Sequence, residues 1–273
     1  MELFNLKGRY FLVTGASGLL GKEHCEAILS HNGIPVALDI NPKALQELKE
    51  NFLKIYNLEI PTIVCSVNDL ENLKKAKYKL NKNNIFISGI INNAAINPQV
   101  NTDGLSSSTR LEEYDLDLWD LELNVGLKGS YLVVRTFSED LLKNEYKSVI
   151  INISSDLGLI APDQRIYNKQ ENLDFKDRQV KPITYSVIKA GLIGMTRYFA
   201  TYFDGKIRSN AICPGGVLNN QNADFLSKVN KLIPLGRLAN KEEYRGAIVF
   251  LLSDASSYMN GSIISIDGGR TTW

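Results

Sequence analysis

The strongest chemical signal in the sequence is a tyrosine and a lysine four residues apart, Tyr185 and Lys189. On a helix this spacing places both side chains on one face. A phenol next to an ammonium is a candidate for proton transfer, because a nearby positive charge favours the phenolate. The spacing alone is weak evidence, since it recurs at Tyr78 and Tyr202, at positions typical of solvated helix surface or a helix end.

Two polar residues upstream distinguish Tyr185 from the other tyrosines. Ser155 follows an apolar run that ends at Ser154, and Asn124 lies in a long segment with helical spacing before that run. Alternation along a strand puts Ser154 and Ser155 on opposite faces. Only one of the two serines can therefore face a site shared with Tyr185.

The segments that would position these residues alternate between strands and helices. The apolar, β-rich runs are Arg9–Thr14, Pro35–Asp39, Thr62–Val67, Ile85–Asn92, Ser148–Ser154, Ile207–Cys213 and Ser262–Ile266. The segments with helical spacing are Leu19–His31, Pro42–Tyr56, Leu70–Leu80, Leu116–Leu142, Thr184–Tyr202 and Lys241–Leu252. Strands that are apolar on both faces indicate a parallel sheet covered by helices. We predict one α/β domain over residues 1–273, a doubly wound parallel sheet of the Rossmann type, with its site beyond the carboxyl ends of the strands.

One segment, residues 159–184, breaks this alternation. It contains two prolines and nine charged residues without a clear period. Long loops inside compact domains are usually functional. We therefore expect this segment to serve the site.

The composition excludes several classes of protein. The 273 residues are 44% hydrophobic and 22% charged, which is ordinary for a globular chain and excludes a disordered, collagen-like or coiled-coil protein. The formal net charge of +1 gives no electrostatic indication of binding to nucleic acid or an anionic membrane. The chain has no basic leader followed by an apolar core and no run of 18 apolar residues. We expect a cytoplasmic protein whose partner is a small-molecule substrate.

Cysteines and histidines point to no further chemistry. Cys25, Cys65 and Cys213 are scattered in apolar stretches, as expected of buried free thiols. The two histidines, His24 and His31, fall in one predicted helix, near its surface side. With no histidine–carboxylate cluster in the sequence, we expect no metal site.

The first predicted strand leads into a glycine-rich turn and then a helix. Glycines permit the tight turn, the approach of backbone N–H groups to a pyrophosphate, and close packing of the helix on the strand. The amino terminus of the helix then offers unpaired donors to the anion. The residues predicted to hold a pyrophosphate are Gly15, Ser17, Gly18, Leu19, Leu20 and Gly21.

The second predicted strand ends at Asp39, 18 residues after Gly21. An acid at this place can accept hydrogen bonds from ribose hydroxyls and would repel a 2′-phosphate. Ile40 and Asn41 follow, so no basic residue is present there to bind that phosphate. The pattern favours NAD over NADP. The alternative is that Asp39 only caps the helix starting near Pro42.

Together, these motifs resemble the short-chain dehydrogenase/reductase family, in its short single-domain branch. Their order and spacing cover nearly the whole chain. The matching stretches are TGASGLLG (14–21), Asp39, NNAA (92–95), LNVGLKGSYL (123–132), NISSDLG (152–158), YSVIKAG (185–191), NAICPGGV (210–217), PLGRLANKEEY (234–244) and NGSIISIDGG (260–269).

The resemblance implies a role for each catalytic residue. Tyr185 is the general acid/base, and Ser155, which stands three residues before Gly158 as in the family pattern, hydrogen-bonds the substrate oxygen. Lys189 contacts the nicotinamide ribose and lowers the pKa of the tyrosine. Asn124 holds a water molecule in a proton relay.

The resemblance also completes the cofactor site. Asn92 and Ala94 are expected to line the cofactor beside the fourth strand. The cofactor is further expected to contact Ser66, Val67, Pro214, Gly215, Val217 and Asn219.

Four departures from the family pattern stand out. Leu19 replaces the usual middle glycine, which gives the spacing of the longer epimerase-like branch. Ser66 replaces the adenine-contacting acid, and Asn219 replaces the usual threonine. Ser155 and Tyr185 are also unusually far apart, so residues 159–184 are an insertion next to the active site.

The insertion is the predicted origin of substrate specificity. We expect it to cover a polar substrate, anionic or sugar-like, with Gln164 and Arg165 reaching in. The alternative is a solvated surface loop or a subunit contact. The pattern is similar to bacterial dehydrogenases associated with flagellin modification and surface-sugar synthesis.

The predicted function is NAD-dependent hydride transfer between the nicotinamide and a secondary alcohol or ketone, such as a sugar or sugar phosphate. Two alternatives remain: an NAD-using sugar epimerase or dehydratase, and a catalytically silent NAD(H)-binding sensor. The resemblance further implies a homodimer or homotetramer, built through the predicted helices over 116–142 and 184–202.

Overall fold

A single sheet of seven parallel strands forms the centre of the molecule, in the order β3-β2-β1-β4-β5-β6-β7. The computed structural model describes residues 2–96, 109–168 and 173–273. The chain leaves β1 toward one edge and returns at β4 toward the other, so the strand order reverses between β1 and β4. The strands are β1 (Tyr10–Thr14), β2 (Ile34–Asp39), β3 (Thr62–Val64), β4 (Ile87–Asn92), β5 (Ser148–Ile153), β6 (Ile207–Pro214) and β7 (Ile263–Ile266).

Helices cover both faces of this sheet. They are α1 (Leu19–Leu29), α2 (Pro42–Tyr56), α3 (Leu70–Lys82), α4 (Leu116–Leu123), α5 (Ser130–Lys143), α6 (Ile183–Tyr202), α7 (Ala223–Val229) and α8 (Arg245–Leu252). One apolar core joins the sheet to α1, α2 and α8, and the other joins it to α3, α5 and α6. Because β4 and β5 are buried along their whole length, their two apolar faces fill both cores. The predicted doubly wound fold is confirmed.

The segment predicted as one long helix over 116–142 is interrupted. A π turn over Asn124–Gly129 separates α4 from α5. A Cβ on Gly126 would lie 2.5 Å from Cγ2 of Ile188 on α6, so only glycine allows this turn to approach α6 so closely. π turns inside helices are frequent at functional sites.

The insertion over 159–184 is fastened to the body of the protein at several points, although residues 174–178 are exposed. Arg110 Nη1 donates to the carbonyl oxygen of Phe175 (2.5 Å), and Lys228 Nζ donates to that of Asn168 (2.5 Å). The ring of Tyr167 packs on Phe225 of α7, 5.8 Å between centroids. Helix α7 was not predicted because it has only seven residues. Residues 169–172 of the insertion lie outside the described residues.

Two expectations about single residues have clear outcomes. The three cysteines are buried free thiols, as predicted. The expectation that His24 lies near the surface is wrong: its side chain is 1% exposed, and this burial lowers its pKa to about 4.

Within the described ranges, no helix has the length and apolarity to cross a membrane, and no group of three or more potential metal ligands comes together.

Candidate active site

A cavity of about 750 Å³ opens beyond the carboxyl ends of β1, β2, β4, β5 and β6. This is the edge of the sheet where the fold was predicted to place its site. The glycine turn, Tyr185 and Lys189 all line this cavity.

The glycine turn has the backbone shape that a pyrophosphate requires. Gly15 has a φ of +62°, and a Cβ there would lie 2.9 Å from the Cα of Ala94. A Cβ on Gly21 would lie 2.1 Å from the carbonyl oxygen of Gly15, so glycine is needed for α1 to pack on the turn. The N-cap of α1, Gly18, provides no side-chain cap, which leaves the amino terminus of the helix to an anion.

Asp39 lies at the end of β2 and is held by two backbone groups. The N–H of Ser17 donates to Oδ2 (3.0 Å), and the N–H of Asn41 donates to Oδ1 (3.1 Å). The alternative that Asp39 caps α2 does not hold, since Asn41 is the N-cap and accepts from the N–H of Ala44 (3.0 Å). Asp39 is therefore placed in the cavity wall next to the glycine turn.

Most of the predicted cofactor residues line the cavity, which supports the fit of a dinucleotide. They are Gly15, Gly18, Leu19, Leu20, Asp39, Ser66, Val67, Ala94, Tyr185, Lys189, Pro214, Val217 and Asn219. The remaining four do not line it. Ser17 and Gly21 instead shape the turn, through the contacts given above. Asn92 is buried, and Gly215 packs against Asp267.

Neighbouring residues take the places expected of Asn92 and Gly215. Asn92 is buried in the sheet, where its Nδ2 donates to Oδ1 of Asn152 (2.8 Å). The next residue, Asn93, lines the cavity and donates from Nδ2 to the carbonyl oxygen of Thr14 (2.9 Å). Gly215 packs against the chain at Asp267, and Gly216 lines the cavity instead. In both cases the residue that lines the cavity is one position later than the predicted one. Each lies just beyond the end of a strand, where the alternation of side chains between the two faces no longer holds.

Three of the four catalytic residues predicted from the sequence, Ser155, Tyr185 and Lys189, line the cavity. Lys189 is buried on α6, and its Nζ donates to the carbonyl oxygen of Ile153 (2.8 Å). This ammonium lies 5.6 Å from the centre of the Tyr185 ring. Ser154 donates to the carbonyl oxygen of Lys189 (2.7 Å), which is a structural role. Ser155 is therefore the serine available to the site, as alternation indicated.

The hydroxyl of Ser155 is hydrogen-bonded to a carboxylate that the sequence reasoning missed. It donates to Oδ1 of Asp156 (2.7 Å), and Asp156 also accepts from the N–H of Leu157 (2.8 Å). Burial raises the pKa of Asp156, and these hydrogen bonds oppose that shift. The only sequence signal was the position of Asp156 directly after Ser155.

Burial dominates the electrostatics of Tyr185 and Lys189. It raises the pKa of Tyr185 to about 12, although hydrogen bonding with Ser155 lowers that pKa in part. Burial also lowers the pKa of Lys189 to about 8, and the charge of Lys181 lowers it further. The lowered tyrosine pKa that the resemblance implies is thus not produced by the chain's own charges.

Asn124 does not line the cavity, although Leu121 and Val125 on either side of it do. It starts the π turn that packs through Gly126 on Ile188, the residue before Lys189. The π turn that contains Asn124 is therefore positioned beside Lys189.

The two residues predicted to reach the substrate do not line the cavity. The side chain of Arg165 is 87% exposed and pairs with Asp163 (2.7 Å). Gln164 supports the backbone, because its Oε1 accepts from the N–H of Lys181 (2.8 Å). The wall next to Tyr185 is formed instead by Asp156, Asp163, Ile166, Tyr167, Lys181 and Arg270.

Comparison with known families agrees with this geometry. Residues 9–167 match the model of the short chain dehydrogenase family, and residues 177–271 match the model described as enoyl-(acyl carrier protein) reductase. The chain belongs to the short-chain dehydrogenase/reductase family. It is therefore an oxidoreductase of the NAD(P)-dependent type, with the single-domain Rossmann fold of that family.

Individual relatives of this dehydrogenase span the whole chain. It is 31% identical to the post-translational flagellin modification protein A of Campylobacter coli, over 97% of this chain and 98% of that protein. It is also 31% identical to a 3-oxoacyl-[acyl-carrier-protein] reductase of Thermotoga maritima, with the same coverage. Among solved structures, a short chain dehydrogenase of Leptospira borgpetersenii with bound NAD⁺ superposes with a TM-score of 0.80 at 27% identity, over 98% of this chain and 94% of that chain.

Proposed function

We propose that this dehydrogenase transfers a hydride between NAD and a secondary alcohol or its ketone on a polar, sugar-like substrate. The observation that carries the proposal is that two sets of residues line one cavity. The glycine turn and Asp39 are suited to a dinucleotide, and Ser155, Tyr185 and Lys189 are suited to proton transfer.

The residues of the chain have distinct tasks in this proposal. The amino terminus of α1 binds the pyrophosphate, and Asp39 accepts hydrogen bonds from the adenosine ribose. When bound, the nicotinamide accepts or donates the hydride. Tyr185 keeps its proton at neutral pH because burial raises its pKa to about 12. Its hydroxyl group can therefore donate that proton to a carbonyl oxygen. Ser155 hydrogen-bonds the same oxygen.

The charge of Asp39 supports NAD as the cofactor rather than NADP. Its carboxylate lies at the end of β2, where a 2′-phosphate would meet it, and Ile40 beside it in the cavity wall carries no charge. Like charges at this distance repel.

The polar wall next to Tyr185 supports a hydroxylated substrate. The relative from Campylobacter coli is named for flagellin modification, which supports a role in modifying surface glycans. The three free thiols are compatible with a reducing compartment, so we place the enzyme in the cytoplasm.

We extend the proposal to a homodimer or homotetramer built through α5 and α6. These helices expose large side chains, with Tyr131, Tyr198 and Tyr202 between 45% and 64% exposed. The rings of Tyr198 and Tyr202 stack with centroids 5.6 Å apart. Sedimentation of the wild type against Tyr198→Lys tests this assembly.

The test of the proposed chemistry uses two tyrosine variants. Tyr185→Phe removes the proposed acid, and Tyr202→Phe removes an exposed tyrosine with the same four-residue spacing to a lysine. NADH binding is followed by fluorescence, and turnover is measured on a panel of sugars, alditols and their oxidised forms. We expect Tyr185→Phe to bind NADH normally and to lose roughly 10³-fold in kcat, while Tyr202→Phe keeps both.

Two results would overturn this proposal. Equal turnover in Tyr185→Phe would remove the assigned chemistry. NADH binding without turnover of any substrate would favour the silent sensor.

A further inference from the structure

Among the described residues, two carboxylates line the cavity wall next to Tyr185, and one of them keeps an oxygen without a partner. Asp163 has both oxygens engaged by Arg165, through Nε at 2.8 Å and Nη2 at 2.7 Å. Asp156 uses Oδ1 alone, which accepts from the hydroxyl of Ser155 (2.7 Å) and from a backbone N–H (2.8 Å). In the part of the chain that the structure describes, no group donates a hydrogen bond to its Oδ2.

The free oxygen of Asp156 is open to the cavity. Asp156 lines the cavity, and its Oδ2 is reached by solvent rather than enclosed by neighbouring side chains. The positive charge of Arg270 lowers the pKa of Asp156 and the negative charge of Asp267 raises it, but within the described ranges neither side chain bonds to it. A carboxylate oxygen in this situation can accept a strong hydrogen bond from a ligand.

Asp156 is in direct contact with the groups that hold the reacting oxygen. In the proposed function, Ser155 and Tyr185 hydrogen-bond that oxygen, and the hydroxyl of Ser155 also contacts Asp156. A hydrogen bond between Ser155 and Tyr185 lowers the pKa of the tyrosine, so the three side chains form a continuous hydrogen-bonded set. The free oxygen of Asp156 is therefore one hydrogen-bonded group away from the reacting oxygen of the substrate.

The backbone fixes the position of this carboxylate. Asp156 begins a short 3₁₀ turn, Asp156–Gly158, directly after β5. A Cβ on Gly158 would lie 2.8 Å from the carbonyl carbon of Lys189, so the turn packs tightly against α6. Because β5 and α6 also position Ser155 and Tyr185, the carboxylate is held in register with the reacting groups.

We propose that Asp156 binds a hydroxyl group on the carbon next to the reacting one, so that the substrate is a vicinal diol or the corresponding α-hydroxy ketone. Hydroxyl oxygens on neighbouring carbons are separated by roughly one hydrogen-bond length, about 2.8 Å. This separation matches the contact of 2.7 Å between Ser155 and Asp156. The inference rests on the proposed hydride transfer and adds to it the group that must neighbour the reacting bond.

The neighbouring hydroxyl takes no part in the reaction itself. In the reducing direction the carbonyl carbon accepts a hydride from NADH, and Tyr185 donates a proton to the carbonyl oxygen. The products are the vicinal diol and NAD⁺, and Tyr185 recovers its proton from solvent. The second hydroxyl donates its hydrogen bond to Asp156 before and after the step, so Asp156 determines specificity.

The experiment compares three cyclic ketones that differ in one hydroxyl group. 2-Hydroxycyclohexanone carries the hydroxyl next to the carbonyl, 4-hydroxycyclohexanone carries it across the ring, and cyclohexanone lacks it. Oxidation of NADH is followed for the wild type, Asp156→Ala and Asp156→Asn. Asp177→Ala is the control, because it removes an exposed carboxylate of the insertion.

We expect the wild type to have its highest kcat/KM on 2-hydroxycyclohexanone. In Asp156→Ala, the ratio of this kcat/KM to that for cyclohexanone falls roughly 30-fold, as expected for the loss of a hydrogen bond to a charged group. Asp156→Asn preserves the size of the side chain and an acceptor for the backbone N–H, so it folds as the wild type does and its ratio falls by a smaller factor. Asp177→Ala keeps the wild-type ratio.

The ratio separates recognition of a hydroxyl group from a purely structural role of Asp156. If Asp156 only orients Ser155, its variants lose the same factor on all three ketones, and the inference is wrong. The inference is also wrong if the wild type does not favour 2-hydroxycyclohexanone over its 4-hydroxy isomer.

A binding measurement distinguishes failure of this inference from failure of the proposed function. In the presence of NAD⁺, trans-cyclohexane-1,2-diol should raise the Tm of Tyr185→Phe more than the 1,4-diol does, and adding Asp156→Ala should abolish the difference. If none of the ketones is reduced but this difference is found, the assigned chemistry fails and the hydroxyl site stands. If the 1,2-diol gives no larger rise, the hydroxyl site is wrong whatever the turnover.

Discussion

The backbone N–H of Ser17 and the carboxylate of Asp39 are joined by a hydrogen bond of 3.0 Å. This bond links the phosphate-binding turn after β1 to the end of β2. The acid that would discriminate between cofactors is therefore held in place by the turn that would bind their common pyrophosphate. Its orientation does not depend on its own rotamer preferences.

Removal of the charge on Asp39 is expected to weaken the preference for NAD. Asp39→Asn keeps an acceptor for only one of the N–H groups of Ser17 and Asn41, which bond to different carboxylate oxygens, and it no longer repels a 2′-phosphate. We expect the ratio of kcat/KM for NAD to that for NADP to fall about 10-fold, equivalent to about 1.4 kcal/mol. Steady-state kinetics with both cofactors measure it. An unchanged ratio would show that Asp39 does not face the 2′ position.

The π turn gives a second prediction, because Gly126 has no room for a side chain. Gly126→Ala places a Cβ 2.5 Å from Ile188, so α6 must shift next to Lys189. We expect a loss of about 1–3 kcal/mol in the free energy of unfolding, together with a lower kcat. Urea denaturation and steady-state kinetics measure the two effects.

Gly246→Ala is the matched control for this variant. A Cβ on Gly246, in α8, would meet no atom within 4 Å. Alanine there is expected to stabilise the helix by about 0.5–1 kcal/mol and to leave kcat unchanged. If Gly126→Ala changes neither the free energy of unfolding nor kcat, the π turn tolerates displacement from α6.

The sequence was sufficient to predict the sheet and the placement of Ser155, Tyr185 and Lys189 around one cavity, for physical reasons. Strands apolar on both faces are compatible with few arrangements, and burial of β4, β5 and β6 on both sides follows from them. Tyr185 and Lys189 were predictable because a helix fixes which residues share a face. Ser155 was predictable because a strand alternates.

The sequence could not predict features that depend on contacts between distant segments. The π turn at Asn124 is set by packing on α6. The spacing of apolar residues over 116–142 is that of an uninterrupted helix and does not indicate this turn. Arg165 was chosen by its charge, but Asp163 holds it outside the cavity. A cation of the insertion that does line the cavity, Lys181, is positioned by a hydrogen bond to Gln164, seventeen residues earlier.

The burial of Lys181 predicts a pH-dependent contribution to stability. Its pKa in the folded enzyme is lowered to about 8 from an ordinary value of 10.5, so the folded state binds fewer protons than the unfolded state between these values. Stability contributed by this residue therefore rises as the pH rises through 8. Lys181→Met removes the buried charge, so its advantage over the wild type should be greatest at pH 7 and fall by roughly 1 kcal/mol by pH 9.

Urea denaturation of the cofactor-free proteins at pH 7, 8 and 9 measures this difference. Comparison with the wild type at each pH cancels the titration of the buried cysteines and tyrosines. The same comparison with Lys176→Met, an exposed lysine of the insertion, should give a difference that does not vary with pH. If Lys181→Met also gives a constant difference, the ammonium is hydrated in the folded enzyme.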